Sequence, residues 1–186
     1  MSFVKEEHKA TLRRWHNELQ EKRGLRASLR RSKTVNDAYI AEGFRDLLMQ
    51  TQSLWKIKGQ EWRFTALAVT AALMAQVKSL DERHSFAEQL GQKEGNRLVM
   101  SELRFARLSA VKTPDELLRQ LRRAVKLLNG KVNLISLAED VFRWCQENND
   151  LLNSVRRVQR PTEFIRIRWA LEYYQAGDID KNDQQG

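Results

Sequence analysis

Only 8 glycines and 2 prolines occur in 186 residues, and that scarcity of turn formers constrains the fold more than any motif does. A many-stranded β protein needs a turn every ~8–12 residues, usually built on such residues. The chain is therefore expected to be all-α. Its length fits one compact domain or two small lobes sharing a boundary, and we read it as two packed helical bundles. A hydrophobic content of 41% is enough for a real core and separates the chain from a disordered basic tail.

Caps and periodicity divide the chain into helices. The first is expected over Lys5 to Arg23, with Leu12, Trp15 and Leu19 on one face and Gly24 as terminator. A short basic helix follows near Leu25 to Arg31. Thr34 and Asp37 form a weaker capping box opening a helix toward Met49. Gly59 and Gln60 break the chain before an Ala-rich helix from Glu61 to Lys78, and Ser85 with Glu88 frames a short helix ending at Gly91. The polar stretch Gly91 to Asn96 interrupts the periodicity, so an N-terminal bundle is expected over 1–93 and a C-terminal one over 97–177. Within the latter, Leu98 to Leu108 reads as helix. Thr113, Pro114 and Glu116 make the clearest start, for a helix running to Leu128 and closed by Gly130. Asn133 caps Leu134 to Gln146, and a last helix covers Thr162 to Ala176. Residues 178–186 read as a polar, frayed tail.

Lys and Arg number 33 against 24 Asp and Glu, a net charge of +9, and the excess is clustered. On the helix after Pro114, Leu117, Leu118, Leu121, Ala124, Val125 and Leu128 gather on one side at 3.6 residues per turn. Arg119, Arg122, Arg123 and Lys126 form a stripe on the other, with no acid between them. Such a stripe fits an ordinary solvated face or an anionic partner. Neighbouring like charges on a helix cost roughly 0.2–0.5 kcal/mol per pair, which a polyanion would offset. A second cluster, Lys22 to Lys33, holds Arg23, Arg26, Arg30 and Arg31 and no acid. A third holds Arg156, Arg157, Arg160, Arg166 and Arg168 against only Glu163. Arg predominates, and its planar fork suits phosphate oxygens. No zinc-finger spacing or aromatic RNA-binding signature accompanies the clusters, which favours sequence-tolerant backbone binding.

Other chemistries find little footing. His8, His16 and His84 are scattered, without the i, i+4 partner that metal or base chemistry needs. Cys145 lies on an apolar face as a core thiol. There is no phosphate-cradling Gly-rich loop and no G-x-S-x-G elbow, and the adjacent Glu139 and Asp140 diverge on a helix. We expect no catalysis, no metal and no cofactor. Trp15, Trp62, Trp144, Trp169, Phe142 and Tyr173 fall on apolar stripes as core residues, leaving Trp55, beside Lys56 and Lys58, as a stacking candidate. The most apolar stretch, Phe64 to Val77, falls short of the ~18 residues of a membrane span, and Met1 to Lys9 has no signal-like apolar region. A cytoplasmic protein without membrane contact is expected.

Four segments in order resemble one family. Gly24-Leu25-Arg26-Ala27-Ser28-Leu29-Arg30-Arg31 resembles the G-x-R-A-x-L-R-R element of CasB, the small subunit of the type I-E CRISPR surveillance complex Cascade. Arg104-Phe105-Ala106-Arg107-Leu108, followed by Leu121-Arg122-Arg123-Ala124-Val125, is similar to that family's R-F-x-x-L and L-R-R core. Phe142-Arg143-Trp144 and the stretch from Arg168 to Gly177 match its apolar-x-W and closing R-W-A-x-x-Y-Y-x-A-G patterns. The resemblance spans Trp15 to Gly177 and is poorest between Thr34 and Asn96.

It implies an all-α, non-catalytic subunit, present as a head-to-tail pair of copies. Its neighbours would be the large subunit of Cascade and the backbone subunits, which hold the guide RNA. Its work would be to hold DNA, both displaced strand and duplex backbone, while the guide pairs with its target, an exchange so nearly balanced that phosphate contacts can tip it. Carried onto this chain, the basic positions are Arg26, Arg30, Arg31, Arg122 and Arg123. Helical geometry adds Arg119 and Lys126, and a looser match adds Arg156 and Arg157. A stand-alone nucleic-acid-binding helical protein and a helical adaptor for acidic proteins are the alternatives.

Overall fold

The helix Trp62–Met74 (α6) carries almost no polar surface: Ala66 through Met74 are all buried. A helix apolar all round must be surrounded, and this one is the axis on which the rest packs. In a computed structural model describing residues 2–182, the N-terminal elements are α1 (Glu6–Glu21), α2 (Arg23–Arg31), α3 (Val35–Ile40), α4 (Glu42–Gln50) and α5 (Gln52–Trp55). After α6 come α7 (Phe86–Gly91), α8 (Glu102–Ser109), α9 (Pro114–Leu127), α10 (Leu134–Leu152) and α11 (Ile165–Asn182), with a single 3-10 turn over Pro161–Glu163. Four two-residue strands complete the described residues: β1 (Ser79–Leu80) pairs in parallel with β4 (Lys131–Val132), and β2 (Lys93–Glu94) pairs antiparallel with β3 (Arg97–Leu98). The fold is all-α.

The alanines of α6 permit close approach of α10 on one side and of α3, α4 and α9 on others. The stretch expected to separate two bundles is the β2–β3 hairpin, turning at Gly95 with φ +62°. The buried core is one continuous cluster from Val4 to Tyr173.

Several boundaries differ from expectation for local reasons. Gly24 does not stop a helix. The chain breaks at Lys22 (φ −84°, ψ 70°), and Gly24 lies in the first turn of α2. The helix expected from Thr34 to Met49 is interrupted at an extended Ala41, so α4 can lie across α2. There Gly43 admits Leu29, whose Cδ1 would stand 2.8 Å from any Cβ at that position. α6 ends at Met74 because Ser79 and Leu80 are recruited to pair with β4. Leu98 belongs to β3, and α8 starts only at Glu102. α10 continues past Gln146 to Leu152. Thr162 lies in the 3-10 turn, and α11 runs through Gly177 to Asn182, so residues 178–182 are helical where a frayed tail was expected; residues 183–186 lie outside the described residues.

Gly91, the expected terminator of α7, has a second duty. A Cβ there would sit 2.0 Å from the Tyr173 carbonyl oxygen, so α7 and α11 touch backbone to backbone. Tyr173 then stacks on Phe105 (centroids 4.0 Å apart) and donates its hydroxyl to the Met100 carbonyl at 2.6 Å.

Candidate nucleic-acid interface

The rotation of α9 is set at its start. Thr113 Oγ1 accepts from the Glu116 backbone N–H at 3.2 Å, Pro114 occupies the first turn, and the Glu116 carboxylate accepts from Lys112 N–H at 2.8 Å. That last bond, first among several, holds the Glu116 carboxyl below its ordinary pKa. With Leu117, Leu118, Leu121, Ala124 and Val125 buried, Arg119, Arg123 and Lys126 face solvent. Arg122 does not. It is half-buried, and its Nη2 donates to the Leu29 carbonyl near the end of α2 at 3.2 Å. Its Nε is buried without a partner, and burial lowers its pKa.

α2 repeats this division. Arg26 turns inward, Nε donating to the Ala75 carbonyl at 3.1 Å and Nη2 to that of Val77 at 3.4 Å. These carbonyls follow the last turn of α6, where free acceptors favour a cation. His16, buried, shares the Val77 carbonyl at 3.0 Å, and burial depresses its pKa. Arg23, Arg30 and Arg31 remain exposed. Arg26 and Arg122 therefore fasten α2 to α6 and α9 to α2, and the exposed cations stand on the surfaces so joined.

Those surfaces enclose three adjoining depressions. The first, about 530 Å³, is lined by Gln20, Arg23, Arg26, Ala27, Arg30 and Arg31. The second, about 560 Å³, lies among α2, the end of α6 and α9, and shares Arg30 with the first; Lys78, Arg122, Arg123 and Lys126 also line it. Gly130, at φ +77°, leaves room there for the Lys78 stem, whose Cγ would be 2.9 Å from a Cβ. The third, about 580 Å³, lies between α8 and α9 and shares Arg123, Lys126 and Asn129 with the second, adding Arg104 and Arg107. No Asp or Glu lines any of the three. Among the described residues, Arg23, Arg30, Arg31, Lys78, Arg104, Arg107, Arg123 and Lys126 form no ion pair. Two basic clusters some 90 residues apart in sequence thus meet along one groove.

The remaining basic positions lie elsewhere. Arg119 is exposed, one turn from Glu116, and lines none of the depressions. Arg156 and Arg157 follow α10 and line none of the three depressions. Arg157 is bound by both carboxylate oxygens of Asp150, which raises its pKa. Arg166 donates to the Val111 carbonyl at 2.8 Å, and Arg168 to the buried Asp140. Sequence reasoning missed Lys78, Arg104 and Arg107 as members of the groove. The α8 pair was visible at i, i+3 beside the core residues Phe105 and Leu108, whereas Lys78 is placed only by the β1–β4 pairing.

Trp55, the stacking candidate, is half-buried: its Nε1 donates to the Leu48 carbonyl at 2.9 Å and its ring meets Phe64. Trp15, Trp62, Trp144, Trp169, Phe142 and Tyr173 are buried core residues. Cys145 is buried, which pushes its thiol pKa far up. Glu139 accepts from the backbone N–H groups of Phe3 and Val4, while Asp140 takes Trp169 Nε1 at 2.8 Å, so the two carboxylates do diverge. Among the described residues no group of three His, Cys, Asp or Glu is placed to hold a metal, and no helix is long and apolar enough to cross a membrane.

Fold and groove together define an all-α protein with a polycationic surface track and no acid along it. The chain belongs to the family of CRISPR-associated protein Cse2, whose family model matches residues 25–174. It is thereby a small subunit of the type I-E complex Cascade, which contains other subunits and a guide RNA. No curated protein and no solved structure matches the chain.

Proposed function

We propose that the chain is a non-catalytic, cytoplasmic Cascade subunit whose groove holds DNA through its phosphates, whatever the sequence. The DNA is the displaced non-target strand, and holding it stabilises the R-loop in antiviral defence. The observation that carries this reading is the acid-free groove, in which exposed guanidinium and ammonium groups stand together without ion-pair partners. Such a surface is costly by itself and gains free energy by displacing counterions from a polyanion. The proposed contacts are Arg30, Arg31, Arg123 and Lys126, joined by Arg23, Lys78, Arg104 and Arg107. Arg26 and Arg122 hold the walls, Arg119 lies at the margin, and Arg156 and Arg157 serve a separate surface. The two bundles, 1–93 and 97–177, meet across this groove, and a second copy packed head to tail would extend it.

Fluorescence anisotropy of scrambled-sequence DNA, titrated across salt, tests the reading. Arg123→Glu with Lys126→Glu should weaken binding and make the log–log salt slope shallower by about 0.7–0.9 per lost contact. Arg157→Glu should leave the slope unchanged. The same groove variant should lower R-loop formation by the reconstituted complex. Unchanged binding and R-loop formation in the groove variant would end the proposal.

A further inference from the structure

α11 is apolar on two opposite faces. Ile165, Trp169 and Tyr173 recur every fourth residue and are buried against the core. Phe164 at the start of the helix, then Ile167, Leu171 and Tyr174, fall half a turn round it at intervals of three, four and three residues. These four are 41%, 41%, 43% and 50% exposed. The end of α10 adds Leu151, 77% exposed. Leu151, Phe164 and Ile167 line a depression of about 340 Å³ together with the buried Trp144 and Ile165. Single apolar side chains on a surface need no explanation, whereas a stripe running out of an apolar depression marks a surface that a partner covers.

The charges around the stripe specify that partner. The α10–α11 loop, whose two ends line the depression, carries Arg156 and Arg160, and Arg166 stands in the lining itself. All three are exposed, and among the described residues neither Arg156 nor Arg160 forms an ion pair. The nearby acids already accept backbone N–H groups, Glu147 from Ile165 at 2.8 Å and Glu163 from Arg160 at 2.9 Å. Unmatched guanidinium groups rimming an apolar stripe fit a surface that is apolar along its middle and acidic at its edges. The 3-4-3 spacing is that of a helix seam, whose side chains enter the gaps of a facing helix. A second copy set two-fold against the first would bring the same cations together. Nucleic acid would find no free cation along the stripe, because Arg168, the one cation between Ile167 and Tyr174, is held by Asp140.

We propose that the stripe from Phe164 to Tyr174, with the depression at its head, docks an acid-flanked amphipathic helix of another protein subunit of the complex. The assembly contains other subunits, and the inference does not depend on the groove's holding DNA. The dock stands on a fixed helix, since α11 meets α7 backbone to backbone at Gly91.

Competitive assembly tests it. Wild-type chain and the variant Ile167→Ser, Leu171→Ser are mixed with the guide-bound remaining subunits, and the incorporated ratio is read by mass spectrometry. Wild type should prevail by on the order of tenfold. The isolated variant should melt with wild type and bind scrambled-sequence DNA with an unchanged salt slope. Arg156→Glu with Arg160→Glu, on an exposed loop, should also lose to wild type, by a ratio that shrinks as salt is raised. Leu171→p-benzoylphenylalanine, irradiated in the assembled complex, should crosslink to an acid-flanked helix of another subunit. Equal incorporation of either variant overturns the proposal. Crosslinks to a second copy or to nucleic acid, or weaker DNA binding by the Ser variant, would give the stripe to those ligands and overturn it as well. If the Ser variant melts early, the Arg variant and the crosslink decide. Failure of the wild-type chain to bind DNA would reject the groove reading alone, and the incorporation ratios would still decide this one.

Discussion

Arg122 and Arg123 are adjacent in sequence and have opposite duties. The first is withdrawn into the protein and bonds the Leu29 carbonyl; the second is exposed and lines two depressions. Losing the first removes one of two hydrogen bonds to the Leu29 carbonyl, which keeps the Ser32 N–H, at about 0.5–1.5 kcal/mol. Arg122→Ala should therefore lower the free energy of unfolding by that amount in urea titration, while Arg123→Ala stays within about 0.5 kcal/mol of wild type. Equal losses would show that the wall has no fastener at Arg122.

Asp140 is the residue through which pH should act on stability. It is buried against Arg168 and Trp169, and burial outweighs both partners, pushing its pKa up to about 7 from an ordinary 3.8. Nearby Glu172, and Glu147, shift upward for the same reason. Between pH 4 and 7 the folded protein then holds a proton that the unfolded chain has released. The stabilisation is complete below pH 4 and is lost as pH rises through 7. Asp140→Asn keeps an acceptor for Trp169 and removes the titration, so the variant should gain on wild type between pH 5 and 8. Denaturant midpoints that run parallel across that range would exclude Asp140 as the titrating group.

At the scale of elements, legibility followed local chemistry. α9 was readable nearly to the residue because Thr113, Pro114, Glu116 and the terminal turn at Asn129 and Gly130 all act within a few residues of one another. The last turns of α10 were not, since Glu147, Asn148, Asn149 and Asp150 are weak signals, and their helix is secured by distant partners: Glu147 accepts from Ile165 N–H, and Asp150 from Arg157. The glycines were ambiguous for the same reason. Gly24 and Gly91 read alike as terminators, yet nothing lies within 4 Å of a Cβ at Gly24, while Gly91 meets Tyr173 backbone. Gly91→Ala must force α7 and α11 apart and should lower the melting temperature by roughly 3–10 °C. Gly24→Ala should raise it slightly, since alanine is the better helix residue. Equal small effects in calorimetry would mean that the α7–α11 contact is soft.

At the scale of the molecule, the sequence announced three basic clusters without saying that two of them meet. Their meeting depends on α6, β1 and β4 joining the two halves, which no local pattern encodes. The same joining shapes unfolding. With one core from Val4 to Tyr173, heat should melt the protein in a single transition whose calorimetric and van't Hoff enthalpies agree. Two resolved transitions, with residues 97–177 melting apart from 1–93, would show instead that the bundles are separate cooperative units.

The banks of the groove come from both halves, α2 and the end of α6 on one side, α8 and α9 on the other. Anything laid along it works as a tie-bar across the seam. Under the proposed function, load and brace would become one: the more firmly a strand were gripped, the harder it would be to pry the halves apart, and a subunit without that cargo would be the one most easily dismantled.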